Sequence, residues 1–95
     1  MFVVLLRFSE NRKLAPEYMD GHNAWLSSGF EDGVFLLAGR RQPNSGGGIM
    51  AHNTSLEELQ DGVSKDPFVA KNVVSAEILE IDIAKADERL DFLRD

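Results

Sequence analysis

Phe2 to Phe8 is an apolar run broken only by Arg7, with β-branched Val3 and Val4 inside it. A strand with one wet face alternates apolar and polar residues, whereas a run without alternation suits a strand buried on both faces. Any fold that contains this strand must therefore find cover for two sides of its sheet. The run is much shorter than the roughly 20 apolar residues of a membrane span. It is also too short for a signal-peptide core and follows no basic segment, so a cytoplasmic protein is expected.

The remaining segments read in a regular order. Residues 14–30 carry a helical apolar arc, with Pro16 tolerated in the first turn. Val34 to Ala38 is a second apolar strand. Gly39 to Gly48, with Pro43 and Asn44, reads as a polar connection leading to a third strand, Ile49 to Ala51. Thr54 with Glu57, or Ser55 with Glu58, matches a capping box ahead of Leu56, Leu59 and Val63, the apolar side of a short helix. Asp66-Pro67-Phe68 is a capped turn. Val73 to Ile83 is a fourth strand. Its apolar positions pass from even (Val74, Ala76, Ile78) to odd (Leu79, Ile81, Ile83), which predicts a bulge near residues 78–79. Residues 84–95 form a charged tail to a single domain of residues 1–95.

The order βαββαβ predicts a ferredoxin-like α+β unit with a four-stranded antiparallel sheet. Two helices cover one face of such a sheet. The second apolar face then calls for a partner, and a two-fold homodimer joined sheet to sheet is expected.

Composition excludes several chemistries. The chain has no cysteine, so disulfides, thiolate nucleophiles and cysteine-based zinc sites are absent. Its formal net charge of −6, with no basic stripe, disfavours nucleic-acid binding. His22 and His52 lie too far apart in sequence to give metal-ligand spacing, and His52 reads as solvated.

His22 is the chemically pointed residue. With Leu14 at 0°, the helical projection puts Trp25 near ~20°, Tyr18 ~40°, Leu26 ~120° and Met19 ~140°, with His22 at ~80° in the middle of the apolar arc. A titratable imidazole thus faces the sheet, either as a core histidine with one hydrogen bond or as an acid/base group in a pocket. Tyr18 and Trp25 beside it read as core or pocket wall. Asp66 has two readings as well: an N-cap before Pro67, or the carboxylate that orients His22.

Arg7, Gly39, Gly47 and Gly48 are candidate ligand-binding positions. Arg7 either faces a pocket or lies on the wet edge of the sheet. The glycines 46–48 either present backbone amides to an anion or form a flexible hairpin loop. They lack the lysine and strand-to-helix setting of a P-loop. Gly39 either admits a close approach or opens the loop.

The succession His22, Gly33-Val34-Phe35-Leu36-Leu37-Ala38-Gly39, Gly46-Gly47-Gly48-Ile49 and Asp66-Pro67-Phe68 resembles the YCII (YciI-like) family. The segment Gly39-Arg40-Arg41-Gln42-Pro43 adds to the likeness, which spans about residues 1–83. The resemblance implies a dimeric α+β barrel related to the muconolactone-isomerase type. It also implies that His22 and Asp66 are an active-site pair, and that lyase-type elimination from a muconate-like compound is among the chemistries of the family. Together these readings lead to an expected small acid/base enzyme, lyase or isomerase in type, that uses neither cofactor nor metal on a small organic acid or carbonyl compound. The alternative is a homodimer that binds a small molecule without turning it over, or one in which the pair serves stability alone.

Overall fold

The computed structural model describes residues 1–94. Four strands form one antiparallel sheet in the order β2-β3-β1-β4: β1 (Phe2–Phe8), β2 (Phe35–Arg41), β3 (Gly46–Ala51) and β4 (Val74–Glu80). Helix α1 (Ala15–Glu31) follows a short 3₁₀ turn at Arg12–Leu14, with Pro16 in its first turn where a missing N–H is harmless. Helices α2 (Leu56–Ser64) and α3 (Pro67–Ala70) lie between β3 and β4. The sequence expectation of an α+β ferredoxin-like βαββαβ unit describes this arrangement.

Helices α1, α2 and α3 pack on one face of the sheet. Phe2, Val4 and Leu6 of β1 point toward them, as do Ile49 and Ala51 of β3 and Phe35 of β2, and every one of these is buried. The helices answer with Leu59 and Val63 from α2 and Phe68 from α3, also buried. Ser55 caps α2, its side chain accepting the amide of Glu58 at 3.1 Å, half of the expected capping box. Trp25 of α1 donates its indole N–H to the carbonyl of Gly62 at 3.0 Å and sets its ring edge-to-face with Phe35, so it ties α1 to α2 and the core.

None of these three helices covers the opposite face. Cross-strand pairing puts Leu37, Met50, Val3 and Leu79 in one row there, with Ile81 just beyond. Leu37 is 52% exposed, Leu79 40% and Ile81 42%. The next row is Gly39, Gly48, Leu5 and Glu77, and the last is Arg41, Gly46, Arg7 and Ser75.

Two local expectations are corrected. The register of β4 on β1 runs without interruption from Val74 to Glu80, so there is no bulge at 78–79. The change from even to odd apolar positions marks a change of face instead. Ile78 packs with the helices, whereas Leu79 belongs to the apolar row of the open face. A register shift occurs in β2, between Phe35 and Leu37. Finally, the polar connection is short, because β2 continues to Arg41 and β3 already starts at Gly46.

The charged tail forms a 3₁₀ segment, Glu88–Leu93. Phe92 meets the ring of His52 edge-on at 5.5 Å, and His52 is half-buried rather than solvated.

Candidate active site

One glycine–proline contact brings the site together. A Cβ on Gly21 would sit 3.0 Å from Cγ of Pro67, closer than ordinary van der Waals contact. A glycine on α1 therefore lets the helix close onto the first turn of α3. The next residue on α1 is His22, and the residue before Pro67 is Asp66, so the close approach carries one to the other. His22 Nδ1 lies 2.8 Å from Asp66 Oδ1.

Asp66 is fully buried. The same Oδ1 accepts the backbone amide of Phe68 at 3.0 Å, the N-cap bond of α3. The two readings of Asp66 thus coexist, one oxygen serving the helix end and the imidazole together. Oδ2 is buried with no partner among the described residues. A buried polar atom in that condition carries a desolvation penalty. A hydrogen bond from His22 to the same carboxylate offsets part of it.

The imidazole is held on its faces as well as at its edge. It stacks on the Phe68 ring with centroids 4.1 Å apart and planes within 5°, and Trp25 lies 6.0 Å away. Its side chain is 12% exposed. An ionised carboxylate only accepts hydrogen bonds, so opposite ionised Asp66 the proton of neutral His22 belongs on Nδ1. Nε2 then carries the lone pair, and among the described residues it has no protein partner.

His22 lines a cavity of about 620 Å³ between α1 and the sheet, a volume that suits a small organic molecule. Leu6, Ile49 and Gly47 contribute its floor, and Met19, Leu26 and Phe68 contribute apolar wall. Asn23, Asn44 and Arg40 add polar groups. The register explains the space. Arg40, Gly47 and Leu6 are cross-strand neighbours on the helix-facing side, and a side chain on Gly47 would fill the room above Leu6.

The other sequence candidates fall into place differently. Arg7 does not share this cavity: it points from the opposite face of the sheet, beside Arg41, Ser75 and Glu77. The strand period of two decides this, since Leu6 and Phe8 take the helix side. Gly47 and Gly48 are not a loop of free amides. They are paired inside the sheet, with β1 on one side and β2 on the other, so their amides face neighbouring strands. The main chains of Gly39 and Gly48 do line the cavity, but a Cβ on either would meet nothing within 4 Å, so neither marks a steric close approach.

Sequence reasoning missed Arg40. The signal was present in the Arg40-Arg41 pair, because adjacent strand residues face opposite ways. The apolar run ends at Ala38, so the pattern alone does not carry β2 on to Arg41.

Comparison with known proteins adds to this geometry. No curated protein sequence matches the chain. Among solved structures, it is similar to the 5-chloro-2-hydroxyhydroquinone dehydrochlorinase TftG of Burkholderia phenoliruptrix, a structure in complex with 2,5-dihydroxybenzoquinone. The TM-score is 0.69 at 14% identity, over 94% of this chain and 98% of the other, which is a likeness of fold. The family model of the YCII-related domain matches residues 1–82. The chain is a member of the YCII-related family.

Proposed function

We propose that this protein is an acid/base enzyme of lyase or isomerase type, acting on a small organic acid or carbonyl compound held in the cavity beside His22. The observation that carries the reading is the 2.8 Å contact between His22 Nδ1 and buried Asp66, which leaves Nε2 without a protein partner in a residue that lines a half-open cavity. Nε2 takes a proton from an acidic C–H or O–H of the substrate. The electron pair left behind forms an enolate or expels a leaving group from the neighbouring carbon. The imidazolium, balanced by Asp66, returns the proton to complete an isomerisation or releases it after an elimination. Neither step requires a group beyond the two side chains. Burial of Asp66 and the Phe68 ring against the imidazole lower the local polarity and strengthen the electrostatic partnership. The dehydrochlorination named for the structural relative is an elimination of this general kind on a single ring.

Incubation in D₂O with muconolactone and with hydroxylated quinones tests the reading. Wild type is expected to exchange a substrate hydrogen or eliminate, with His22→Gln slower by about 10²–10⁴-fold. Equal binding by both proteins, with turnover by neither, would favour the second reading, in which the pair only ties α1 to α3. The shared Oδ1, capping α3 while holding His22, is what supports that alternative.

We also propose that a second copy of the chain covers the open sheet face, completing a dimeric α+β barrel. The apolar row Leu37–Met50–Val3–Leu79, exposed at both ends and half-buried between them, supports this, since apolar patches of that kind mark interfaces. Sedimentation equilibrium is expected to give a dimer for wild type and a folded monomer for the double variant Leu37→Glu, Leu79→Glu. A folded wild-type monomer at micromolar concentration would overturn it.

A further inference from the structure

We propose that Arg40 is the specificity-determining residue of the cavity, selecting a ring-sized organic anion whose negative group sits at the β2–β3 hairpin. This rests on the reading of the cavity as the substrate site. Arg40 is the only lysine or arginine among the cavity-lining residues, and no acidic side chain lines it. The guanidinium has no ion-pair or hydrogen-bond partner among the described residues. In a chain with a formal net charge of −6, an exposed, unneutralised cation lining a cavity whose other side chains are apolar apart from His22 and two asparagines attracts a negative group.

The sheet explains why this arginine reaches the site. Arg40 shares its helix-facing row with Gly47, which has no side chain to stand between it and the cavity floor. Arg41, one residue on, faces the opposite side and lines a separate recess with Arg7. A second cation reinforces the same end. The Arg12 guanidinium stacks 4.1 Å over the Phe8 ring and donates to the carbonyl of Asn44 at 3.4 Å, and both Phe8 and Asn44 line the cavity. His22 approaches the cavity from α1 and Arg40 from the sheet. A bound anion therefore has its charge at one element and its acidic hydrogen at the other. In that arrangement the anchor fixes orientation, and the base chooses the proton.

The test is binding, read by NMR shifts of cavity residues. The probes are 2,5-dihydroxybenzoquinone, ionised at neutral pH, and its uncharged dimethyl ether. Wild type is expected to favour the anion. Arg40→Gln should weaken anion binding by about tenfold or more, leave the neutral ether unchanged and flatten the salt dependence. Arg40→Lys should recover part of the affinity, because it restores the charge without the planar fork. Arg41→Gln serves as the control of equal charge change and should bind as wild type does. Unchanged selectivity in Arg40→Gln, an equal loss in Arg41→Gln, or no binding of either probe to wild type at millimolar concentration would each overturn the assignment. Failure of the acid/base reading looks different: His22→Gln would then match wild type in turnover while Arg40→Gln still lost anion binding.

Discussion

Gly46→Ala is expected to lower the melting temperature by roughly 15–30 °C, the largest stability loss of any single-methyl addition in the sheet. Gly46 has a φ of +139°, a conformation that L residues rarely adopt. A Cβ there would overlap the main-chain carbonyl oxygen of Leu6 and crowd Cα of Arg7. These are backbone atoms of β1, which is paired on both edges and cannot rotate aside as a side chain can. Backbone strain of about 1–3 kcal/mol adds to overpacking of similar size, against a total stability of about 5–15 kcal/mol for a domain of this kind. Gly46 opens β3 next to Gly47 and opposite Arg41, so the same change should loosen the hairpin that carries Arg40. Gly48→Ala is the matched comparison, since a Cβ there meets nothing within 4 Å. Thermal unfolding of the two variants measures the difference. A Gly46→Ala protein that melts within a few degrees of wild type would contradict the close approach of β3 to β1.

The large features of this fold are written in hydrophobic periodicity. The run from Phe2 to Phe8 fixes an inner strand, the apolar arc of residues 14–30 fixes a helix over it, and the Ser55–Glu58 spacing starts the second helix. Periodicity is a one-dimensional record, and it misleads where a segment serves two faces. The even-to-odd change in β4 looked like a bulge because a single apolar face was assumed. The strand instead supplies Ile78 to the helices and Leu79 to the open side, with its register intact. Glycine misled in a second way. Three glycines in a row read as loop, yet they are strand residues in the interior of the sheet, tolerated because strands on both sides hold them. With the glycines in the sheet, β2 reaches Arg41 and β3 starts at Gly46, which puts Arg40 on the helix-facing side and Arg7 on the other.

The site was legible to a different degree. The helical projection alone placed His22 on the buried face of α1, since one residue contributes about 100° of rotation and the surrounding apolar residues define the arc. Asp66 was legible as a helix cap. Their meeting was not derivable from spacing, because it depends on how closely α1 approaches α3, and Gly21 against Pro67 sets that distance. The resemblance to the YCII family supplied the pairing as an implication, and the geometry brings the two side chains to hydrogen-bonding distance.

Asp66→Asn and Asp66→Ala should separate the two duties of that carboxylate. Asparagine caps helices nearly as well as aspartate, so Asp66→Asn is expected to keep the Phe68 amide satisfied and to melt near the wild-type temperature. It removes the negative charge that, in the proposed mechanism, balances an imidazolium formed when Nε2 takes a proton. It also offers an amide N–H that can turn the imidazole to the wrong tautomer. Turnover is therefore expected to fall by about 10²–10⁴-fold, the scale of losses seen when an orienting carboxylate or an acid/base group is removed. Asp66→Ala loses the charge and the cap together, and should add a stability cost of about 0.5–2 kcal/mol from the helix end alone. Ring ¹⁵N shifts of His22 report the tautomer directly, with His52 as an internal reference. Wild type should show the hydrogen on Nδ1, and Asp66→Asn a shift toward Nε2. If Asp66→Asn retains both the wild-type ring shifts and the wild-type turnover, the carboxylate acts only as the cap of α3. His22 would then be a core histidine stacked on Phe68, and proton transfer at this cavity would have to be assigned to another group.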